Sequence, residues 1–188
     1  MRTILPANNN PVLREIAREI PISELPTKRI QNLVREMKAL LKKEEYGVAL
    51  AAPQVGESLR LFIVLGRALA RRSRSAPDEP ERRRDEATPH RIEPTMPDQV
   101  YINPEFIKMS RGKKEKHEGC LSVRGKWGTV PRAEKAAVRA YDEHGQRFTR
   151  GASGFLAHIF QHEIDHLQGI LYTDKATKLY DEKSEKEK

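Results

Sequence analysis

The chain has a single cysteine, a single tryptophan and no long apolar run. Of its 188 residues, 6% are aromatic, 37% hydrophobic and 33% charged. One cysteine cannot close an intrachain disulfide, which indicates a reducing, cytosolic compartment. No stretch approaches about eighteen uninterrupted apolar residues, so no membrane-spanning helix is predicted. The first twenty residues also lack the apolar core of a secretory signal. This composition excludes a membrane-embedded protein and a wholly disordered one, and the length suits one domain.

The net charge of +8 is concentrated in one part of the chain. Residues 108–139 carry ten basic and three acidic side chains. A basic surface of this kind suits a polyanionic partner such as nucleic acid or the ribosome. It is equally well explained as a solvated face with no partner.

Proline and charge mark one segment that differs from the rest of the chain. Residues 66–98 contain five prolines, many charges and no aromatic residue. Such a segment buries too little apolar surface to offset the entropy of ordering it, so we interpret it as a flexible surface insertion. We therefore predict a single catalytic domain over residues 1–175 with this insertion, followed by a charged tail over 176–188.

The hydrophobic pattern predicts two helices separated by short strands. Apolar residues at spacings of three and four predict a helix over Lys28–Glu45. A second helix is expected from an N-cap at Ser153 to a C′ glycine at Gly169. The strands are predicted at Leu59–Leu65, Val100–Asn103, Trp127–Pro131, Lys135–Tyr141 and Gln146–Thr149. Helix, strands and then helix indicate an α+β fold with antiparallel sheets.

The second helix carries the sequence QHEIDH, residues 161–166. Residues four apart share a helix face, so the imidazoles of His162 and His166 project side by side, with Glu163 next to them. This HExxH pattern supplies two nitrogen ligands for a divalent metal and a carboxylate as general base. The alternative is a pair of surface histidines on an ordinary helix.

A third ligand is needed to leave one coordination position open, and no candidate follows the motif. The only cysteine lies upstream in EGCLS, residues 118–122. A thiolate with two imidazoles would give a Cys/His/His site. Cys120 is otherwise a small buried hydrophobic residue, although its basic, glycine-flanked setting favours a thiolate.

Just after the first helix comes GVALAAPQ, residues 47–54. Small residues allow a close approach of backbone or ligand, and the Gln54 amide could donate a hydrogen bond to a developing oxyanion. Packing between a helix and a sheet would explain the small residues equally well.

In this order and spacing, GVALAAPQ, EGCLS and QHEIDH resemble the three motifs of the peptide deformylase family. The similarity covers most of the chain apart from the 66–98 insertion and the tail. It implies an α+β domain with antiparallel sheets around the helix that bears HExxH. The implied reaction is hydrolytic removal of the formyl group from the initiator N-formylmethionine of nascent polypeptides. The implied substrates are N-formylmethionyl peptides, and the implied compartment is the bacterial-type cytoplasm or an organelle.

The resemblance also implies roles for individual residues. It makes Cys120, His162 and His166 the ligands of one divalent metal, with Fe²⁺ as the native ion and Zn²⁺ or Ni²⁺ as alternatives. Glu163 becomes the general base, and the Gln54 amide and the Leu121 backbone N–H become donors to the formyl oxygen. The methionine pocket is implied to be bordered by Val48, Ala49, Phe155, His158 and Ile159. Phe155 and Ile159 share a helix face and are equally well explained as core residues, and His158, four residues before His162, is alternatively a fourth ligand.

Two positions depart from the family pattern. Ala49 replaces the second glycine of the first motif, and Arg124 follows EGCLSV where the family often has proline. Ala49 leaves open a deformylase-like protein with altered substrate or lost activity, acting as a binding module. An HExxH protease is a further alternative, although its third ligand normally lies downstream.

Glu118 and Arg132 either pair beneath the cysteine loop or are unrelated surface charges. Neither a membrane nor specific DNA is an expected partner.

Overall fold

The computed structural model describes residues 2–70 and 96–182. Helix α1 spans Lys28–Lys43 and begins at Thr27, whose side chain accepts a hydrogen bond from the Ile30 N–H. It ends two residues earlier than predicted, because the backbone is already extended at Glu44. Its apolar face is buried, as the three- and four-residue spacing predicts, by the following residues: Ile30, Leu33, Val34, Met37 and Leu41.

Five antiparallel strands form the larger sheet. They are β1 (Ala49–Ala51), β2 (Leu61–Val64), β3 (Gln99–Met109), β6 (Lys135–Tyr141) and β7 (Arg147–Ser153), in the order β1-β2-β3-β6-β7. A second, three-stranded antiparallel sheet has the order β4-β5-β8, with β4 at Lys113–Cys120, β5 at Val123–Ala133 and β8 at Lys178–Asp181.

Helix α3, Gly154–Leu167, packs against strands of both sheets. Eleven of its fourteen residues are buried, so polar side chains on it are held inside the protein. Ser153 occupies the N-cap position, as predicted, although its side chain makes no capping hydrogen bond. Gly169, beyond the end of the helix, has a positive φ of 72°. Two short helices complete the fold: α2, Gly66–Ala70, and α4, Tyr172–Lys175. The architecture is α+β with antiparallel sheets around a central helix.

Both ends of the predicted insertion are packed against the domain. Ala68 and Leu69 of α2 are buried, and Asp98 accepts a hydrogen bond from the Gly66 N–H and pairs with Lys42. The surface-insertion prediction therefore fails at these ends, because apolar side chains and the Asp98 carboxylate find partners there. The rest of that prediction, residues 71–95, lies outside the described residues.

The beginning of the predicted tail is a strand. Residues 178–181 pair with β5 from Lys126 to Thr129, so part of the charged tail completes the smaller sheet. Strand β4 was not predicted, because its alternating lysines and glutamates carry little apolar signal. Within residues 2–70 and 96–182, no helix is long and apolar enough to cross a membrane.

Candidate metal centre and active site

Helix α3 and the end of β4 bring three potential ligands together. His162 and His166 lie one helical turn apart, with ring centroids 4.9 Å from each other. Cys120 is the last residue of β4, and its Sγ lies 3.3 Å from His166 Nε2. One ligand atom from each of the three residues falls within 4.8 Å of the others. Cys120 pairs with Val123 across the Leu121–Ser122 turn, so it closes a strand and does not lie in the turn itself.

The surroundings of Cys120 favour a thiolate. Burial by itself would raise the pKa of this thiol, but the neighbouring His166 and His162 hold it well below its usual value. A thiolate beside two imidazoles is a donor set that binds soft or borderline divalent metals.

Glu118 connects the site to the interior of the protein. Its carboxylate is almost fully buried and accepts hydrogen bonds from Arg132 at 2.5 and 2.9 Å. It also lies 2.8 Å from His162 Nδ1 and 2.9 Å from His158 Nε2. Nδ1 of His162 is thereby engaged, which leaves Nε2 free to bind a metal and fixes the ring's orientation. Of the two alternatives for Glu118 and Arg132, the structure selects the buried pair.

Glu163 lies within the same buried region but has a different environment. Its Oε2 atom is buried and has no hydrogen-bond partner among the described residues. Burial raises the pKa of this carboxyl to about 7, although His162 and His166 oppose the shift. A carboxyl group with this pKa can both accept and return a proton near neutral pH.

Gln54 lies in the short 3₁₀ turn Ala52–Val55 that follows β1. Its Oε1 accepts a hydrogen bond from the Ala51 N–H at 2.9 Å, which fixes the orientation of the amide. The Nε2 group therefore points toward the thiol, 3.5 Å from Cys120 Sγ and 3.4 Å from Ser122 Oγ. Leu121, the second predicted donor, follows Cys120 at the start of the turn.

A cleft of about 740 Å³ opens beside these residues. Ile159 is buried in its wall, whereas Phe155 is 43% exposed. His158 hydrogen-bonds to Glu118 and stands outside the Cys/His/His cluster, so it is part of the wall. The five residues expected around a methionine pocket all line this cleft: Val48, Ala49, Phe155, His158 and Ile159.

Ala49 has the backbone conformation of an ordinary strand. It belongs to β1 and pairs with Val64 of β2. Among the described residues, Asn103 is the only non-glycine residue with a positive φ. Alanine at this position therefore carries no left-handed strain, and its effect is confined to the volume of one methyl group.

Three further polar residues near the site are not predicted from the sequence. Ser122 contacts the Gln54 amide, and the buried Asp165 extends the charge network around Arg132. Lys175, whose side chain is 40% exposed, pairs with Asp165 at the edge of this network. Asp165 accepts from Arg132 Nη1 at 2.6 Å and from Lys175 Nζ at 2.6 Å. Ser122 and Asp165 lie inside the EGCLS and QHEIDH motifs, which could have drawn attention to them. Lys175 has no comparable signal, because only tertiary packing brings it to Asp165.

The residues present fit one divalent metal ion. The thiol and the two imidazoles converge, His162 has a carboxylate behind it, and Glu163 presents an unpartnered oxygen in the same buried region. The described side chains satisfy the donor chemistry of a catalytic site with three protein ligands.

Comparisons with known proteins agree with this geometry. The family model for polypeptide deformylase matches residues 1–182. The chain is 36% identical over 174 residues to a peptide deformylase of Desulforudis audaxviator, covering 93% of each protein. It is 38% identical over 172 residues to the chloroplastic/mitochondrial peptide deformylase 1A of Arabidopsis thaliana, covering 90% of this chain and 59% of that protein.

Among solved structures, one similar protein is a class I type b peptide deformylase from Acinetobacter baumannii with Met-Ala-Ser bound. The two structures superpose with a TM-score of 0.71 at 33% identity, over 93% of this chain and 99% of the other. The family match, the relatives and the converging Cys/His/His cluster lead to one conclusion: this chain belongs to the polypeptide deformylase family.

Proposed function

We propose that this protein is a metal-dependent hydrolase that removes the N-formyl group from the initiator methionine of nascent polypeptides. The observation that carries the proposal is the convergence of Cys120, His162 and His166, with Glu163 beside them, on one cleft. The reaction hydrolyses a linear amide, so that water is consumed and formate and a free N-terminal amine are released. A relative of known structure holds Met-Ala-Ser, a peptide with such an amine.

Cys120, His162 and His166 would hold the ion. A divalent metal there would supply a Lewis acid that lowers the pKa of water toward about 7. The native ion is Fe²⁺ in this proposal, with Zn²⁺ or Ni²⁺ able to occupy the same donors. Intrinsic affinity favours Zn²⁺ over Fe²⁺, so the metal available in the cell decides occupancy.

Glu163 is the general base in this proposal. Its unpartnered Oε2 accepts the proton of the attacking water, and the same carboxyl later delivers that proton to the departing amine. A pKa of about 7 suits both transfers, because neither protonation state is strongly favoured near neutral pH.

Gln54 and Leu121 stabilise the negative charge that develops on the formyl oxygen. The Gln54 amide is already oriented, because its oxygen is held by the Ala51 N–H and its Nε2 faces the site. The backbone N–H of Leu121 is the second donor. Each such donor contributes about 3–4 kcal/mol to stabilising a transition state of this kind.

The methionine side chain occupies the apolar part of the cleft. Val48, Phe155 and Ile159 supply its walls, and the partly exposed Phe155 ring would be covered on binding. The substrate emerges from a ribosome, and the exposed basic side chains within residues 108–139 form the surface that we assign to that contact. The compartment we infer is the bacterial-type cytoplasm or an organelle that makes formylated proteins.

The test is hydrolysis of formyl-Met-Ala-Ser by protein purified without oxygen, with the metal content measured on the same sample. We expect formate release with about one ion per chain, and no reaction with acetyl-Met-Ala-Ser or with internal peptide bonds. Cys120→Ala should lose metal and activity together. A metal-loaded protein that leaves the formyl peptide intact, or a Cys120→Ala variant with full metal content, would contradict the proposal.

A further inference from the structure

The mouth of the cleft is formed by two segments from different parts of the chain. One is the rim loop, residues 44–47, between α1 and β1. The other is the hairpin tip, residues 121–125, which comprises the turn after β4 and the first three residues of β5. The two segments approach closely: a Cβ atom on Gly47 would lie 3.3 Å from Leu121 Cδ1. Both segments line the cleft, so a peptide bound there can contact either of them.

The rim loop is held in place by α2. Arg67 donates from Nη2 to the Glu44 carbonyl at 2.9 Å and to the Gly47 carbonyl. The Gly47 N–H also donates to the Glu44 carbonyl, at 3.3 Å. These bonds fix the backbone from which the Glu44 side chain projects.

An ion pair bridges the two segments. Nη2 of Arg124 lies 3.2 Å from each carboxylate oxygen of Glu44. The Glu44 side chain is 24% exposed, whereas the Arg124 side chain is 67% exposed. Nε and Nη1 of Arg124 make no hydrogen bond within residues 2–70 and 96–182. The unused hydrogen-bonding capacity of the pair therefore lies mainly on the arginine, which is held in position by one nitrogen.

Acidic side chains outnumber basic ones in the lining of the cleft. Lys126 adds positive charge, whereas Glu45, Glu182 and the buried Glu118 and Glu163 are acidic. A preference for an acidic peptide would therefore have to come from direct contact with Arg124. A guanidinium with free donors in a planar fork is suited to bind a carboxylate.

We propose that Arg124 is a specificity-determining residue that binds an acidic side chain downstream of the formylmethionine. The proposal rests on the deformylase function above and adds to it a preference among formylmethionyl peptides. Arg124 stands where family members often have proline, a residue that carries no charge and could not make this contact. Glu44 serves as a positioning residue that holds the guanidinium at the rim.

The experiment compares formyl-Met-Ala-Glu, formyl-Met-Ala-Gln and formyl-Met-Ala-Lys, and the same series with the charged residue second, all as C-terminal amides. We expect kcat/KM for the better Glu peptide to exceed that of its Gln counterpart by about two- to fivefold, the range of an exposed ion pair. The difference should appear in KM and shrink at high salt. Arg124→Gln should bring the ratio of kcat/KM for the Glu and Gln peptides to about one. The double variant Glu44→Arg with Arg124→Glu should instead prefer the Lys peptide.

Arg147→Gln is the matched control, because Arg147 is exposed on β7 and does not line the cleft. It should keep the wild-type ratio. Equal kcat/KM for the three peptides, a preference for Lys in the wild type, or a Glu preference that survives Arg124→Gln would overturn the proposal. Calorimetric Kd values for Met-Ala-Glu-amide and Met-Ala-Gln-amide test the same contact without catalysis. If the protein does not hydrolyse formyl peptides, tighter binding of the Glu peptide would still support the Arg124 contact, and equal binding would contradict it.

Discussion

Two buried glutamates beside the same histidines differ in the proton affinity that their surroundings impose. Burial raises the pKa of both carboxyls, but Glu118 also faces Arg132, His158 and His162, which together hold its pKa well below the usual value. Glu163 has an unpartnered oxygen and a pKa of about 7. Glu118 is therefore suited to remain ionised and orient His162, and Glu163 to exchange a proton. The local environment thus suits two chemically identical side chains to different functions.

Replacement of Glu163 by alanine separates proton transfer from metal binding. We expect the variant to keep about one ion per chain, because none of the three ligand side chains is changed. Its kcat should fall by about 10²- to 10⁴-fold, the usual contribution of a general base. Kinetics and metal analysis on one preparation check both expectations, and a variant as active as the wild type would show that Glu163 is not the base.

Ala49→Gly restores the residue that the family motif has at this position. Because Ala49 lies in a β-strand without a positive φ, removing its methyl group relieves no backbone strain. We expect kcat/KM for formyl-Met peptides to change by no more than about tenfold, with unchanged metal content. An inactive wild type that this single glycine makes active would instead mean that the methyl group blocks the cleft.

At the scale of secondary-structure elements, Arg132 joins three of them. It lies on β5, donates to Glu118 on β4 and to Asp165 on α3, and is itself buried. Removal of one member of such a cluster leaves a buried charge without its partner, which costs more than the intact pair contributes. The strand that ends in Cys120 and the helix that bears the histidines are thus held in register by one side chain.

Arg132→Met should lower the free energy of unfolding by about 3–5 kcal/mol, the typical effect of breaking a buried ion pair. Urea titration measures the loss. Arg139→Met is the control, because its pair with Glu105 is exposed and should contribute little. A second substitution, Glu118→Met in the Arg132→Met background, should recover part of the loss. Equal small effects at positions 132 and 139 would contradict a structural role for the buried network.

For the molecule as a whole, Glu118 couples folding to pH. Its folded pKa lies well below that of the unfolded chain, so the unfolded state binds a proton at a pH where the folded state does not. Its contribution to stability is therefore complete above about pH 4.5 and decreases as the pH falls. The slope per proton is about 1.4 kcal/mol for each pH unit.

Glu118→Gln should reduce this slope below about pH 4.5, although the variant will be less stable at every pH because its pair with Arg132 is lost. Denaturant titrations of both proteins between pH 3 and pH 7 give the two curves. Glu105→Gln, which alters an exposed carboxylate, serves as the comparison. Parallel curves for the wild type and Glu118→Gln would show that this carboxylate is not responsible for acid sensitivity.

The local parts of the site could be predicted from sequence. The i, i+4 spacing of His162 and His166 needs only a helix to place both rings on one face, and the helix is marked by Ser153 and Gly169 at its ends. The three motifs GVALAAPQ, EGCLS and QHEIDH, in this order, are sufficient to identify the family. Strand β4 and the pairing of residues 178–181 with β5 were missed, because charged edge strands acquire their structure from their neighbours.

By itself, the sequence determined the α+β class, the catalytic helix and the residue types able to bind a metal, since each depends on short-range periodicity or on contiguous motifs. Only the tertiary structure decided that Glu118 holds Arg132 and both neighbouring histidines, that Lys175 reaches Asp165, and that Arg124 meets Glu44 across the cleft. Lys175 and Asp165 are ten residues apart and Arg124 and Glu44 are eighty apart. Such contacts depend on how β4, β5, α1, α3 and α4 pack, because the geometry between elements is set by the shape of the shared core and has no local sequence signal.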